Sequence, residues 1–197
     1  MSKPFWIGER VYLRPLEDPD VNEEYLGWLN DPEVTRYLAV GESVTTRETL
    51  RAYLGRFQNS TTDFIFAIID RRTNQHIGNV TINRLHPVHR IADTGLMIGR
   101  KEFWGQGYGY EVWRLVIDYA FKHLGVRKLL AGAVADHVAS IEILKKLGFK
   151  LEGTCRQEFR MADGQYRDVV RFGLFQDEFE QHGARALSES REAVRHQ

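Results

Sequence analysis

The sequence predicts an α+β fold of three layers (α/β/α), in which a mixed, largely antiparallel β-sheet is flanked by helices on both faces. Strand-like segments follow one another before the longest amphipathic helix, and after that helix the chain continues as strand, helix and long hairpin. The length of 197 residues suits one domain, which we assign to residues 1–180, with a polar tail at 181–197.

The N-terminal part is predicted to hold one strand and two helices. The segment Val11–Leu16 (VYLRPL) alternates and is rich in strand-forming residues. Apolar residues near helical spacing predict a helix over Asp20–Asn30, which ends before Pro32 because proline disfavours helical geometry in the preceding residue. A second helix is predicted over Thr46–Gln58, with the letters TTRE at its start as a capping box.

The middle of the chain is predicted to form three strands and then the longest helix. The strands are residues 63–71 (DFIFAIIDR), 77–85 (IGNVTINRL) and 91–99 (IADTGLMIG). A helix is expected to begin near Tyr110, since apolar residues recur at i, i+3, i+4, i+7 and i+8. These residues are Val112, Leu115, Val116, Tyr119 and Ala120.

The C-terminal part is predicted to contain a strand, a short helix and a hairpin. The strand is residues 127–135 (RKLLAGAVA), and the helix lies within residues 137–149, with Gly148 as the C′ residue that ends it. Residues 150–161 and 166–179 form the two arms of the hairpin around the letters ADGQ.

Composition excludes several classes of function. Lysine plus arginine equals aspartate plus glutamate, 27 against 27, so no overall charge attracts nucleic acid or an anionic membrane. The single cysteine, Cys155, excludes an internal disulfide and fits a reducing compartment. No segment resembles a signal peptide or a membrane span, and the seven histidines form no metal-binding pattern. We expect a cytoplasmic protein that uses no metal and binds neither nucleic acid nor membrane.

Three alternating glycines stand just before the longest helix, in the letters GQGYG (Gly105–Gly109). Glycines allow sharp turns and close approach of the backbone to a ligand, and the free N–H groups of the helix start favour an anion. Phosphate is the usual occupant of such a site. The spacing matches neither the dinucleotide-binding G-x-G-x-x-G pattern nor a P-loop. A turn that only connects strand and helix is the alternative interpretation.

Four segments together resemble one known family, the GNAT superfamily of acetyl-CoA-dependent N-acetyltransferases. They are RVYLRPLEDPD near the start, FWGQGYGYE at the glycines, ADHVASIEILKKLGF after the next strand, and DGQYRDVVRFGLFQDEF at the end. The resemblance runs from about Gly8 to Phe179. The branch of the superfamily that the chain resembles is that of the ribosomal-protein N-terminal and spermidine acetyltransferases. It implies the GNAT fold, acetyl-CoA as cosubstrate and a primary amine as acceptor.

The resemblance also implies which residues bind coenzyme A. Backbone N–H groups of the glycine loop would hold the pyrophosphate, and the strand before the loop, parted from its neighbour, would lie beside the thioester. Trp104 stands where the superfamily usually has Gln or Arg. The implied coenzyme-binding residues are Leu96, Met97, Ile98, Gly105, Gln106, Gly107, Tyr108, Gly109, His137 and Ser140.

The implied catalytic groups are fewer. Asp93 lies where related enzymes carry an acidic residue, and it is the candidate general base if burial raises its pKa; a salt-bridged strand carboxylate is the alternative. His137 and Ser140 are weaker catalytic candidates, and a helix-start histidine facing water is the plain interpretation of His137. Leu144 stands where many relatives have the tyrosine that protonates the thiolate, so solvent is the expected proton source.

The acceptor amine stays open at this stage. Peptide or protein N-termini come first, then amino sugars or their nucleotides, then polyamines. The resemblance implies that the first two helices and the final hairpin shape the acceptor pocket; their acidic residues would suit a cation, but arginines interleave with them. These acids are Glu23, Glu24, Asp31, Glu33, Glu42, Glu158, Asp163 and Asp168. A domain that senses acetyl-CoA without catalysis is the alternative of another class, and the final hairpin is a candidate surface for a homodimer.

Overall fold

The computed structural model describes residues 5–182, which form an eight-stranded sheet in the order β1-β2-β3-β4-β5-β6-β8-β7. All neighbouring strands are antiparallel except β5 and β6, which are parallel, so the predicted mixed and largely antiparallel sheet is confirmed. Of the predicted tail, residues 181 and 182 continue a helical segment that starts at 176, and residues 183–197 lie outside the described part. The strands are β1 (Trp6–Ile7), β2 (Val11–Pro15), β3 (Phe64–Asp70), β4 (His76–Asn83), β5 (Ile91–Ile98), β6 (Lys128–Val134), β7 (Lys150–Arg160) and β8 (Tyr166–Phe175).

Helices cover both faces of this sheet, as predicted. The helices are α1 (Glu23–Asn30), α2 (Arg47–Gly55), α3 (Tyr108–Lys122) and α4 (Val138–Lys146). The larger core lies under α3 and α4 and includes Val112, Val116 and Leu144. A smaller core under α1 and α2 includes Tyr25 and Trp28. Within residues 5–182, no helix is both long and apolar enough to cross a membrane.

The first two helices begin later than the sequence predicted. Asn22 caps α1 by accepting a hydrogen bond from the Tyr25 N–H at 2.9 Å, and residues 18–20 form a separate 3-10 turn. The capping box of α2 pairs Thr46 with Thr49, one residue beyond the predicted TTRE box. The reason is that the side-chain amide of Asn30 binds the backbone N–H and C=O of Thr45, at 2.8 and 2.9 Å. This prediction was therefore wrong by one residue.

Gly148 ends α4 as predicted. It has a positive φ of 93°. Its N–H donates to the Lys145 carbonyl at 3.0 Å, and the next N–H, that of Phe149, donates to Leu144 at 3.1 Å. This is the Schellman arrangement, which satisfies the last carbonyl groups of a helix and needs a residue that adopts left-handed geometry without strain.

His76, at the start of β4, is buried between the sheet and α1. Its ring meets Tyr25 and Trp28 edge-on, with centroids 5.5 and 5.1 Å away. Nε2 lies 2.8 Å from the Gly78 carbonyl, whereas Nδ1 has no hydrogen-bond partner and lies 3.9 Å from Asp20. Burial lowers the pKa of His76 to about 4, so the ring is neutral and Nε2 carries the proton.

Replacing Gly148 by alanine should destabilise the protein by about 1–2 kcal/mol, because the Cβ would stand in left-handed geometry. Gly153→Ala is the matched control, since a Cβ on this strand glycine would meet no atom within 4 Å. Urea unfolding of both variants measures the difference. Equal stabilities would contradict the role of Gly148.

The buried His76 should make stability fall in mild acid. The unfolded chain takes up a proton at this ring below about pH 6.5, but the native state does so only below about 4. The free energy of unfolding should therefore decrease by about 3 kcal/mol as the pH falls through that window. His76→Phe should flatten this dependence, whereas the exposed His89→Gln should retain it; chemical denaturation at pH 4 to 7 is the measurement.

Candidate active site

The central strands β5 and β6 part from each other. They share three residue pairs, of which Asp93 with Leu130 is the last. From Thr94 to Ile98, β5 is paired with β4 alone, while β6 from residue 131 to 134 is paired with β8 alone. A gap therefore opens in the middle of the sheet, beginning beside Asp93. It is the separation of strands that the family resemblance implied.

The β5 side of the gap offers backbone N–H groups. The Gly99 N–H donates to the Ile77 carbonyl of β4 at 2.9 Å. Hydrogen-bond direction alternates along an antiparallel strand, so the Met97 N–H also points to β4, and those of Leu96 and Ile98 point into the gap. Of the three residues predicted to lie beside a thioester, two thus turn donors toward the gap.

The glycine loop and the start of α3 lie at the mouth of this gap. Gly105 and Gly107 have positive φ angles of 69° and 82°, and Gly107 is the N-cap of α3. The helix begins at Tyr108, two residues earlier than predicted, and its first N–H groups have no intrahelical acceptor. A Cβ on Gly109 would lie 3.3 Å from Leu96 of β5 and 3.4 Å from Ile143 of α4. Free donors and a positive dipole end therefore meet the gap where β5 and α4 face each other.

Arg10, which the sequence did not single out, holds this loop. Its Nη1 donates to the Gln106 carbonyl at 2.6 Å, and its Nε pairs with Glu111 of α3 at 2.9 Å. Its guanidinium lies 4.6 Å from the centre of the Tyr108 ring. The arginine precedes β2, about a hundred residues earlier in the chain, so no local pattern indicates it. Because Arg10 is paired with Glu111, its role is to position the loop of the predicted anion site.

Two aromatic residues fix the ends of the loop. The Trp104 indole donates to the Ile98 carbonyl at 2.8 Å, so this residue ties the loop to the end of β5. The Tyr108 hydroxyl donates to the buried Asp70 at 3.0 Å. The Tyr108 side chain is therefore an anchor in the core, and only its backbone is available as a ligand donor.

Asp93 lies at the point where the gap opens, half-buried and opposite Asn83 of β4. Burial raises its pKa, against the smaller opposing effects of Arg171 and Arg84. A raised pKa is the property that a carboxylate needs to accept a proton near neutral pH. Asp93 thus meets the condition that the sequence left open.

The predicted residues of α4 have mixed outcomes. The His137 ring stacks on Tyr37 with centroids 4.4 Å apart and planes at 16°, so one face of the ring is covered and the residue is half-buried. Burial lowers its pKa. Ser140 is half-buried in the first turn of α4. Leu144 is wholly buried in the larger core, so this position contributes only to packing.

The connection between α1 and α2 touches both sides of the gap. On the β5 side, Lys101 pairs with Asp31 at 2.8 Å and with Glu33 at 2.5 Å. On the β6 side, the Tyr37 ring lies on His137 at the start of α4. This segment therefore bridges the opening on the face of the sheet that α1 and α2 cover. Within residues 5–182, no three His, Cys, Asp or Glu side chains are grouped so that they could hold a metal ion.

Comparison with known proteins gives one consistent result. The model of the acetyltransferase (GNAT) domain family matches residues 10–150. The uncharacterized N-acetyltransferase p20 of Bacillus licheniformis is 31% identical over 175 residues, which cover 87% of this chain and 96% of that relative. Spermidine N(1)-acetyltransferase of Escherichia coli is 33% identical over 102 residues, which cover 52% and 54% of the two chains.

A solved structure agrees with this fold. Spermidine N-acetyltransferase from Vibrio cholerae, in complex with CoA and spermine, superposes with a TM-score of 0.78 at 22% identity. The match covers 86% of this chain and 98% of that one. At 22% identity, this similarity is evidence for the fold alone.

Replacing Gly107 by valine should weaken binding of acetyl-CoA. A side chain at a φ of 82° is strained by about 1–2 kcal/mol and would lie 3.3 Å from Arg10. We expect the Kd to rise by about tenfold, which corresponds to about 1.4 kcal/mol. Titration calorimetry measures it, with the exposed helical Gly27→Ala as control. An unchanged Kd in Gly107→Val would contradict the assignment of the loop.

Proposed function

The chain belongs to the GNAT acetyltransferase family, and from this premise we propose that it moves the acetyl group of acetyl-CoA directly to a primary amine, with Asp93 as base. Its family makes it an acetyl-CoA-dependent N-acetyltransferase. The observation that carries the proposal is the parting of β5 and β6 beside Asp93, at the mouth of which α3 begins. One opening therefore holds N–H donors for an anion, N–H donors for a carbonyl oxygen, and a base whose pKa is raised.

Each group has a separate task in this scheme. The N–H groups of Gly107, Tyr108 and Gly109 hold the pyrophosphate of coenzyme A, with Arg10 beside them. Bound acetyl-CoA supplies a thioester carbonyl as the acyl donor. The N–H groups of Leu96 and Ile98 stabilise the negative charge that develops on its oxygen. Gln106 contributes its backbone N–H as a further donor.

Proton transfer completes the reaction. The amine loses a proton to Asp93, its nitrogen forms a bond to the carbonyl carbon, and the carbon–sulfur bond breaks. The released thiolate takes its proton from water, since Leu144 stands where a tyrosine would be. His137 and Ser140, at the start of α4, contact the pantetheine arm in this proposal. Direct transfer predicts sequential kinetics, and a stable acetyl adduct on Cys155 would contradict it.

Ion pairs bear on the choice of acceptor. Most of the acids that would attract a cationic polyamine are paired within the protein: Glu23 with Arg47, Glu24 with Arg100, Asp31 and Glu33 with Lys101, Glu158 with Arg171, and Asp163 with Arg167. This pairing weakens the case for a polyamine, and we keep a peptide or protein N-terminus as the first candidate acceptor and an amino sugar as the second. Polyamines are retained as the third candidate, because one relative is a spermidine N(1)-acetyltransferase.

Thiol release from acetyl-CoA tests the function. The panel holds N-terminal peptides, amino sugars and their nucleotides, and spermidine, each beside calorimetric binding of coenzyme A. Turnover with one class supports transfer and identifies the acceptor. Tight coenzyme binding without turnover on any amine would contradict the catalytic proposal and favour a sensor of acetyl-CoA.

Asp93→Asn should lower kcat by about 100-fold or more, because the amide cannot accept the proton. The Kd of acetyl-CoA should stay close to that of the unaltered protein, as the coenzyme is held elsewhere. In the unaltered protein kcat should rise with pH through the raised pKa of Asp93, and this acidic limb should vanish in the variant. The exposed Asp177→Asn is the control. Equal turnover in Asp93→Asn would exclude Asp93 as the base.

A further inference from the structure

Arg171 is an arginine of β8 whose side chain lies over β6. It pairs with Gly132, and a Cβ on that glycine would lie 2.7 Å from the Nη1 of Arg171. The guanidinium therefore occupies the space that a side chain at position 132 would fill. Gly132 follows Leu130, the last partner of Asp93, by two residues, so both lie on the same face of β6.

That face is the one on which α1 and α2 lie, but at Gly132 and Arg171 it is exposed. Ala92 and Leu129 belong to the core under α3 and α4, so Asp93 and Arg171, which alternate with residues of that core, point to the other side of the sheet. Arg171 is held there by an ion pair with Glu158 of β7. Its charge acts on the Asp93 carboxylate, which it helps to keep ionised.

We propose that Arg171 is a specificity-determining residue, which binds an oxygen atom placed beside the reacting amine of the acceptor. The inference rests on the proposed function and names the acceptor class for the same site. A guanidinium offers five N–H donors, so the contacts with Glu158 and Cys155 leave donors for a ligand. The Arg171 side chain is 44% exposed, so a ligand can reach these donors.

The matching acceptors carry a carbonyl or hydroxyl oxygen next to the amine. A peptide N-terminus has its first carbonyl there, and an amino sugar has ring hydroxyls. Spermidine and simple alkylamines have only methylene groups and further amines. The same donors therefore favour the first two classes, and their relative rates identify which one is the acceptor.

The test compares Arg171→Ala with the unaltered protein on four acceptors: trialanine amide, glucosamine, spermidine and hexylamine. In Arg171→Ala, KM should rise by about tenfold or more for trialanine amide or glucosamine, whichever of the two is acetylated, since a hydrogen bond to a charged group is lost. KM for hexylamine should change little. The acidic limb of kcat should move to higher pH, because Asp93 loses a stabilising cation and keeps that of Arg84.

Two further variants keep the test independent of folding. Gly132→Ala displaces the guanidinium but retains its charge, so it should raise the same KM less strongly. Arg156→Ala, an exposed arginine on β7, should leave all four acceptors unchanged. Equal KM changes for trialanine amide and hexylamine, or none in Arg171→Ala, would overturn the inference.

Binding measured without turnover separates this inference from the proposed function. Calorimetric titration of trialanine amide and of glucosamine into the CoA-bound protein should show binding of one of them, lost in Arg171→Ala and retained in Arg156→Ala. Binding that does not depend on Arg171, or no binding of either, would overturn the inference even if acetylation is observed. Absent thiol release with Arg171-dependent binding would overturn only the catalytic proposal.

Discussion

Two neighbouring strands in the middle of the sheet, β5 and β6, share three residue pairs and then separate. Separation leaves the backbone donors of Leu96 and Ile98 without a strand partner, so they are available to a ligand in the gap. The surrounding structure holds the strands apart: β4 and β8 pair with their outer edges, and α3 and α4 pack beneath them in one core. The glycine loop, Asp93 and Arg171 are all arranged around this gap, so each proposed role depends on it.

Local signals predicted the elements well and their junctions less well. Gly148 was identifiable because a helix end needs left-handed backbone there. The cap of α2 moved from Thr45 to Thr46 because Asn30, fifteen residues away, binds the backbone of Thr45. The strand β1 was missed since two residues carry no readable alternation.

The residues of the site also divide into those that the local sequence predicts and those that only the completed fold brings together. The glycine pattern is local and was readable from the sequence, and the resemblance supplied Asp93 and the parting of the strands. Arg10, Tyr37 and Arg171 reach the site from other parts of the chain, through contacts that depend on the completed fold. No spacing in the sequence encodes such contacts. The ion-pair partners of the surface acids are likewise known only after folding.

The most direct test of the central claim is an amide NMR titration with coenzyme A and then with acetyl-CoA. If the gap and the start of α3 bind the cosubstrate, the N–H signals of Gly107, Tyr108 and Gly109 should shift with both ligands. Those of Leu96 and Ile98 should respond further when the acetyl group is present, since they face the gap. Shifts confined to another surface, such as the groove between α2 and the start of β3, would contradict the account.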